Sequence, residues 1–444
     1  MKIGQHKILN LGFLGISLFV WCNGSVALAS EPAEAASAAS APATANPDAE
    51  AAKNPDIRRI LQAMMNADGQ TLVHLYQSAS DPVTHIWAAM ALERLHFNLD
   101  AATADAERCE QTLQESQPAL ALLCGQFHSG NLRLAGHPAE ANSYENELIE
   151  RYRNHGVDQE LAGMQRYEKQ QATLAKLTVD RPAADVSLPL KDDNLSPTFD
   201  AKANGHPFEL TFDSGASRIV LGEADARRLG VKLIDDQPSG HVGGWLSKNV
   251  PTRQGQLDKL ELGSITMHNV PVTVVPRQIA LIGADLLAPL GALRVSRKTL
   301  LIYGKPSDVP ACDTPMLVGT NLWGNYLRIV PQLLVNDLPH SVMLDTGAGR
   351  YLLGTKAALD EVTTLHRGKL AMGDIGGTHA FANAQSAKVK LTIAGQPIEM
   401  YFAIYTDSDE GHAITLGAGA LRDMDFLLDF GHQHMCFLLH PNLH

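Results

Sequence analysis

Two kinds of hydrophobic spacing divide the chain into a helical part and a β-rich part. From Pro55 to about Leu177, apolar residues recur at steps of three and four, which is the spacing of helices with one buried face. After Asp180-Arg181-Pro182, short β-branched runs alternate with Gly, Asn and Pro turns, as in strands and hairpins. The pattern predicts a multidomain α + β protein, in which an N-terminal α-helical hairpin array, residues 54–178, precedes the β-rich part.

The helical array has a weak likeness to a known repeat. Gly136 followed by Ala141 and Tyr144 resembles the turn and second helix of a tetratricopeptide-type hairpin, although a clean period of about 34 residues is missing. Two roles stay open for the array. It is either a docking surface for a protein partner or substrate, or a packed cap without a binding role.

The N-terminus has the pattern of an export signal. A positively charged start precedes a mostly apolar stretch, residues 8–21, and Ala27-Leu28-Ala29 fits the small-x-small rule for cleavage. We therefore predict a signal peptide, residues 1–29, and a disordered Ala/Pro/Ser-rich linker, residues 30–53. The alternative is an uncleaved signal anchor. The prediction implies an exported protein, in the Gram-negative periplasm, without a membrane span after cleavage.

Cysteine usage agrees with export. Apart from Cys22, the chain has four cysteines, an even number that predicts two disulfides in an exported protein. They are Cys109, Cys124, Cys312 and Cys436. Three pairings are open, and the simplest is local, with the first two joined and the last two joined. Four buried free thiols are the alternative.

Composition and missing motifs narrow the function classes. With 45% hydrophobic and 19% charged residues, disorder along the whole chain is excluded. The net charge is −12 and no stretch concentrates Lys and Arg, so nucleic-acid binding is excluded as the main task. His432 and His434 alternate along a predicted strand without a third ligand at a recognisable spacing. We predict neither a metal nor a cofactor.

Two segments at a fixed offset of 132 residues share one pattern. Residues 204–222 and 336–354 are identical at eight of 19 positions, where random matching gives about one, so the β-rich part contains a duplication. In each copy a turn precedes a strand that ends in Asp-Ser/Thr-Gly-Ala, at Asp213 and at Asp345.

Further landmarks recur in both copies. A Gly-Gly pair stands about 30 residues after each Asp, at Gly243-Gly244 and at Gly376-Gly377. An apolar-Gly run follows, Ile282-Gly283-Ala284-Asp285 in the first copy and Leu416-Gly417-Ala418 in the second.

With these motifs, the β-rich part resembles two retropepsin-like aspartic protease domains in tandem. The resemblance implies two β-barrel lobes that form a pseudo-dimer, lobe 1 at residues 190–304 and lobe 2 at residues 323–444, joined by a linker at 305–322. Each lobe contributes one Asp to a shared cleft. Neither apolar-Gly run has the Arg of the family's Gly-Arg-Asp form, and the second also lacks the acid.

The resemblance also implies roles for single residues. Asp213 and Asp345 are the catalytic dyad, which shares a proton and activates a water. The residues that support the dyad are Ser214, Gly215, Thr346 and Gly347. The flap tips are Gly243, Gly244, Gly376 and Gly377; ordinary tight turns are the alternative there.

The sequence therefore predicts an exported aspartic endopeptidase whose partner is a polypeptide substrate, with a further protein partner at the helical array as an open role. The alternative is a non-catalytic periplasmic peptide-binding or assembly module with an inactive protease-like cleft.

Overall fold

The computed structural model describes most of the chain after Asn54. The described residues are 54–158, 161–165, 175–191, 196–234, 237–238, 240–243, 247, 249–358, 365–375, 377–406 and 414–441. The predicted signal peptide (1–29) and linker (30–53) lie outside them, as do Gly244 and Gly376.

The helical region has six helices with complete bounds among its described residues, besides a helical turn at residues 161–165. They are α1 (Pro55–Met65), α2 (Gly69–Ser78), α3 (Pro82–Leu95), α4 (Leu99–Leu113), α5 (Pro118–Leu134) and α6 (Pro138–Tyr152). Side-chain caps begin the first three, because Asn54, Asp68 and Asp81 each accept hydrogen bonds from the next turn. Their apolar faces pack around Trp87 and Phe127, whose rings meet edge to face.

Cys109 on α4 and Cys124 on α5 form a disulfide inside this core. Among the helices that the structure describes, none has both the length and the apolar character needed to cross a membrane.

The strands of lobe 1 and its approaches are β1 (Thr178–Asp180), β3 (Thr198–Ala203), β4 (His206–Phe212), β5 (Val220–Gly222), β6 (Lys232–Leu233), β7 (Gly240–Val242), β8 (Val250–Leu262), β9 (Ile265–Val275) and β10 (Ala280–Ile282). Six of these strands close into a barrel in the order β9-β5-β10-β4-β3-β8, with β8 and β9 paired to complete the ring. Two short helices belong to this lobe, α7 (Glu223–Arg228) and α8 (Ala284–Leu287).

The strands that precede and form lobe 2 are β13 (Val318–Thr320), β14 (Leu327–Ile329), β15 (Gln332–Val335), β16 (Leu338–Asp345), β17 (Leu352–Thr355), β18 (Leu365–Asp374), β19 (Gly377–Ile393), β20 (Gln396–Thr406) and β21 (Ile414–Gly417). Six of these strands close into a barrel in the matching order β20-β17-β21-β16-β15-β19, again with the two end strands paired. Short 3₁₀ turns lie at Ala288–Leu290, Pro306–Asp308, Lys356–Ala358 and Ala418–Arg422.

The two hairpins that lead to the repeated aspartate motifs turn in the same way. Asn204-Gly205 joins β3 to β4 and Asn336-Asp337 joins β15 to β16, and all four residues have positive φ. Two consecutive residues of this kind make the two-residue turn that matches strand twist. The predicted architecture, a helical array followed by two β-barrel lobes in a pseudo-dimer, is confirmed.

A third sheet joins the lobes. Its five strands run in the order β2 (Val186–Pro189), β12 (Thr299–Ile302), β11 (Ala292–Val295), β22 (Met424–Asp429) and β23 (His434–Leu439). Because β11 from the first copy pairs with β22 from the second, backbone hydrogen bonds fix the lobes to each other. Arg294 and Asp425 add an ion pair of 2.5 Å across the same junction. The second disulfide, Cys312–Cys436, ties the segment after lobe 1 to β23, so the local pairing of all four cysteines is confirmed.

The helical region packs directly on the start of lobe 2. Leu322 and Val330 are buried in the helical core, while Phe97 and Leu134 of the helices are buried in the core of the lobes. A Cβ on Gly319 would lie 2.4 Å from the carbonyl oxygen of Met65, so backbone meets backbone there.

Removing the Cys312–Cys436 disulfide should destabilise the protein more than removing Cys109–Cys124. The first closes 124 residues and the second 15, and in the chain-entropy account a longer closed loop restrains the unfolded chain more. We expect losses of about 4–5 and about 3 kcal/mol in the free energy of unfolding, respectively. Denaturant melts of the two Cys→Ser double variants measure both. A greater loss from the 15-residue pair would contradict this ranking.

Candidate active site

Each candidate aspartate follows a strand that is held by a parallel neighbour. The backbone N–H of Asp213 donates to the Ile282 carbonyl at 3.0 Å, which extends the parallel pairing of β4 with β10. Asp345 ends β16 and lies opposite Gly417 of β21 in the same parallel arrangement. Both carboxyls are therefore fixed by barrel backbone, and both residues are buried, with 9% and 4% of their surface exposed.

The residues after the two aspartates bind each other across the lobe boundary. The N–H of Ser214 donates to Thr346 Oγ1 at 3.0 Å, and the N–H of Thr346 donates to Ser214 Oγ at 3.1 Å. The same hydroxyls donate onward into the opposite lobe, Ser214 to the Leu344 carbonyl at 2.9 Å and Thr346 to the Phe212 carbonyl at 2.8 Å. These four crossed bonds, all buried, hold the two loops in one geometry.

The glycine after each hydroxyl residue makes room for the carboxyl of the other lobe. A Cβ on Gly215 would lie 2.4 Å from Asp345 Cγ, and a Cβ on Gly347 would lie 2.6 Å from Asp213 Cγ. Such distances are far inside van der Waals contact, so the motif needs glycine on both sides. The two carboxyls are therefore neighbours at the lobe boundary.

Backbone amides orient both carboxyls. Asp213 Oδ1 accepts from the N–H groups of Gly215 at 2.8 Å and Ala216 at 3.1 Å. Asp345 Oδ1 accepts in the same way from the N–H of Ala348 at 3.1 Å. One oxygen of each carboxyl is thus held by amides of its own loop.

Burial raises the pKa of Asp213 well above the usual range of an aspartate, and the neighbouring charge of Asp345 and a hydrogen bond between the carboxyls raise it further. The cation of Arg328 and the Gly215 amide oppose this rise in pKa. A carboxyl in this position keeps a proton at a pH where an exposed one has lost it.

The apolar-Gly runs lie beneath these loops. A Cβ on Gly283 would lie 2.5 Å from the backbone N of Arg218, and one on Gly417 would lie 2.2 Å from the Arg350 carbonyl oxygen. The N–H of Ala284 donates to Ala216 O at 2.9 Å and that of Ala418 donates to Ala348 O at 2.7 Å. The runs therefore support the aspartate loops from below, in the same way in both lobes.

Of the glycines in the two Gly-Gly pairs, the structure describes Gly243 and Gly377, and the strands next to them differ. Gly377 begins β19 opposite Asp374, at the end of the long β18–β19 hairpin. Ile375, in the turn of that hairpin, packs on a cluster of lobe 1 that contains Val220, Val250 and Val275. Gly243 directly follows β7, which pairs with β8. The hairpin of lobe 2 thus extends across to lobe 1.

Sequence reasoning missed three residues at the aspartate loops, Ser196, Ser217 and Arg328, and also Tyr326, whose ring lies against Arg328. Ser196 Oγ donates to the Gly347 carbonyl at 2.8 Å, and Arg328 donates to Ser217 Oγ. The offset of 132 places Ser196 and Arg328 at the same position of the two copies, a signal that the sequence carries but that lies before the aligned segments.

Of the two histidines considered, His432 pairs with Asp429 at 2.7 Å. Within the described ranges, no group of three or more His, Cys, Asp or Glu side chains is placed to hold a metal ion.

Comparison with known protein families finds a match within lobe 1. Residues 199–286 match the sequence model of a family described as aspartyl protease, and that segment contains the first aspartate motif. No curated protein matches the chain. The resemblance of the chain to retropepsin-like aspartic proteases, preceded by a helical region, is thereby confirmed.

Several solved structures are similar to parts of the chain. A retropepsin-like aspartic protease from Rickettsia conorii is 21% identical, with 29% of this chain and 97% of that chain covered and a TM-score of 0.24. An aspartic proteinase from Irpex lacteus is 13% identical, with 58% and 98% covered and a TM-score of 0.39. The EIAV protease complexed with the inhibitor HBY-793 is 22% identical, with 21% and 88% covered and a TM-score of 0.19.

Replacing Asp213 by Asn should stabilise the protein increasingly as the pH rises. The folded-state pKa of Asp213 is raised above that of the unfolded chain, so the wild type loses stability from about pH 4 upward until the pH passes the folded-state pKa. The variant has no such loss, and we expect it to gain on the order of 1–3 kcal/mol near pH 7.5 relative to its difference near pH 4.5.

Thermal melts of wild type and Asp213→Asn at both pH values measure this gain. Asp200→Asn is the matched control, since its side chain on the same lobe is 82% exposed. A difference between Asp213→Asn and wild type that is constant with pH would show that the carboxyl is not held in a charge-disfavouring site.

Proposed function

We propose that the chain is an aspartic endopeptidase, in which Asp213 and Asp345 together activate a water for attack on a peptide bond. The observation that carries the proposal is the pair of buried carboxyls held against each other by the crossed hydrogen bonds of Ser214 and Thr346. An inactive barrel pair has no need for two acids in this costly arrangement.

The geometry supports general acid–base chemistry. Two neighbouring buried carboxyls share one proton, because placing both charges there is unfavourable. The ionised member takes a proton from water while the protonated member donates to the carbonyl oxygen of the scissile bond. Since the pair titrates as a unit, the roles belong to Asp213 and Asp345 jointly.

The supporting residues act through position. Ser214 and Thr346 hold the two loops together, and Gly215 and Gly347 allow the carboxyls to approach. Catalysis of this kind depends on fixed groups, since a misplacement of about 1 Å is worth a factor of about a hundred in rate.

The long β18–β19 hairpin is proposed as a flap over an extended polypeptide. Its turn residue Ile375 reaches the apolar cluster of lobe 1, so the hairpin spans the boundary on which the dyad lies. A polypeptide in strand conformation could bind beneath it by backbone hydrogen bonds. Gly243, Gly244, Gly376 and Gly377 are proposed to give the two hairpins the freedom to open and close.

Export to the Gram-negative periplasm is also proposed. Two disulfides among the described residues are consistent with an oxidising compartment, and the proposal of a cleaved signal peptide rests on the N-terminal sequence.

Either Asp213→Asn or Asp345→Asn should reduce cleavage of an unfolded polypeptide by at least about 100-fold in kcat/KM, because general acid–base groups contribute about that much or more. The assay follows hydrolysis of a denatured protein substrate between about pH 3 and pH 8, with and without pepstatin as a mimic of the tetrahedral intermediate. Asp200→Asn serves as the control and should cleave like wild type.

Cleavage that survives in both dyad variants would refute the assignment. Absence of cleavage by wild type, together with binding of peptide that pepstatin does not displace, would favour the non-catalytic peptide-binding module instead.

The export proposal has its own readout. Expression of the full chain in a Gram-negative host, followed by fractionation and N-terminal sequencing, should give a periplasmic protein that begins at Ser30. Recovery of the uncleaved chain in the membrane fraction would support the signal-anchor alternative.

A further inference from the structure

The inference concerns residues 321–328, which comprise the connection from β13 to β14 and the first two residues of β14, and which we call the brace. One end of the brace contacts the helical region, and the other end contacts the aspartate loop of lobe 1. We propose that the brace is a positioning device, through which the helical region holds the cation of Arg328 beside the dyad and thereby sets the pH range of catalysis. This deepens the proposed function and rests on it.

The first end of the brace is held by a buried arginine. Arg94 on α3 is 0% exposed, and its Nη1 donates to the carbonyl oxygens of Asn321 at 2.8 Å and Leu322 at 3.2 Å. Its Nε donates to Asn131 Oδ1 at 2.7 Å, and its guanidinium lies 3.4 Å from the centre of the Phe127 ring. The guanidinium is thus fixed within the helices and satisfies two backbone carbonyls of the brace.

Backbone packing makes this junction close. A Cβ on Gly130 of α5 would lie 2.3 Å from the Leu322 carbonyl oxygen and 3.0 Å from the Gly324 nitrogen. Arg133 on the same helix donates to the Trp323 carbonyl at 3.3 Å while it pairs with Glu145 at 2.6 Å. The brace therefore cannot shift without moving against a helix backbone.

The middle of the brace is stiffened by its own side chains. Asn321 Nδ2 donates to Asn325 Oδ1 at 2.6 Å, and the N–H of Asn325 donates back to Asn321 Oδ1 at 3.2 Å. Gly324 has φ +65°, and its N–H donates to the Asn321 carbonyl at 3.2 Å. These reciprocal hydrogen bonds stiffen the segment, so a displacement at one end of the brace moves the other end.

The second end of the brace meets the aspartate loop. The N–H of Leu327 donates to Ser217 Oγ at 3.3 Å, and Arg328 Nη1 donates to the same oxygen. Ser217 stands four residues after Asp213, directly after Ala216, whose amide orients the Asp213 carboxyl. The guanidinium of Arg328 also lies 4.4 Å from the centre of the Tyr326 ring, which restrains its direction.

The brace gives the two aspartate loops different neighbouring residues. At the position of lobe 1 that corresponds to Arg328 stands Ser196, and the position of lobe 2 that corresponds to Ser217 is Gly349. Lobe 1 thus offers a neutral hydroxyl to the loop of Asp345, whereas lobe 2 offers a cation to the loop of Asp213.

Two ionisable groups act on the Asp213 carboxyl among the described residues: Asp345, which raises its pKa, and Arg328, which lowers it. Arg328 in turn contacts Tyr326. Because a nearby cation favours the ionised carboxyl, removing it should move both limbs of the bell-shaped pH profile upward.

The test compares Arg328→Met, which keeps an unbranched apolar stem but removes the charge, with Arg328→Lys, which keeps the charge. We expect both limbs of the profile of kcat/KM to move upward by about 0.5–1 pH unit in Arg328→Met, and by much less in Arg328→Lys. Limbs of Arg328→Met that coincide with those of wild type would overturn the inference.

The link to the helical region is tested by Gly130→Ala, whose new methyl group would displace the brace, with Gly69→Ala as control. At Gly69 the nearest atom is the flexible end of the Leu95 side chain, at 3.1 Å. Gly130→Ala should move the limbs in the same direction as Arg328→Met, and Gly69→Ala should not. If Gly130→Ala does not fold, the pH profile of Arg133→Lys tests the link instead. Lysine keeps a positive charge beside Glu145 but lacks the guanidinium that donates to the Trp323 carbonyl. An unshifted profile would overturn the link.

A second readout separates failure of the inference from failure of the proposed function. If wild type cleaves nothing, the proposed function fails, yet melting curves still report the carboxyl. Without the cation, Arg328→Met should lose more stability between about pH 4.5 and pH 9.5 than wild type, because the higher pKa of Asp213 keeps its carboxyl protonated in the folded state up to a higher pH. Equal losses would overturn the inference, whether or not the protein cleaves.

Discussion

The arrangement on which the rest of the structure depends is the crossed pair of hydroxyl residues, Ser214 and Thr346. Two buried carboxyls repel when ionised and are expensive to remove from water. Four buried hydrogen bonds between the lobes offset this, each worth about 1 kcal/mol when made and about 1–3 kcal/mol when one partner is lost. Because each hydroxyl both accepts from the opposite amide and donates to the opposite strand, neither loop can move without leaving buried polar groups unsatisfied.

This constraint explains why the repeated motif has glycine at fixed positions. Gly215 and Gly347 are required by the carboxyl of the other lobe, and Gly283 and Gly417 by the backbone that passes above them. The shared sheet is a second constraint on the two carboxyls. Because the backbone of β11 pairs with that of β22, the sheet sets the distance between the barrels independently of the side chains at the lobe boundary. Motif and sheet are complementary: the sheet positions the lobes to within bonding reach, and the crossed hydroxyls fix what remains.

The sequence predicts those parts of this arrangement that have a local pattern. Turns with two residues of positive φ, strands that end in an aspartate, and the fixed offset between two copies are all readable from neighbouring residues, and the structure has them. The pairings of β2 with β12 and of β11 with β22 are not readable in this way, because they join residues more than a hundred positions apart without a shared motif. The same holds for Arg94 and the brace: a buried arginine in a helix looks like any surface arginine until its two carbonyl partners, 227 and 228 residues away, are known.

Fusion of two lobes in one chain permits a difference that two identical chains cannot have. In a symmetric homodimer, any cation placed beside one carboxyl is placed beside the other as well, so the environment of the pair can be shifted but not made unequal. Here Arg328 acts on the loop of Asp213 while Ser196 acts on that of Asp345, and the helical region contacts the start of lobe 2. The barrels and crossed hydroxyls, on which the geometry of the two carboxyls depends, have stayed alike, whereas the segments around them have diverged. The difference at the 196/328 position leaves both carboxyls in place and gives their loops unequal electrostatic surroundings, to which a proton shared as proposed above would be sensitive.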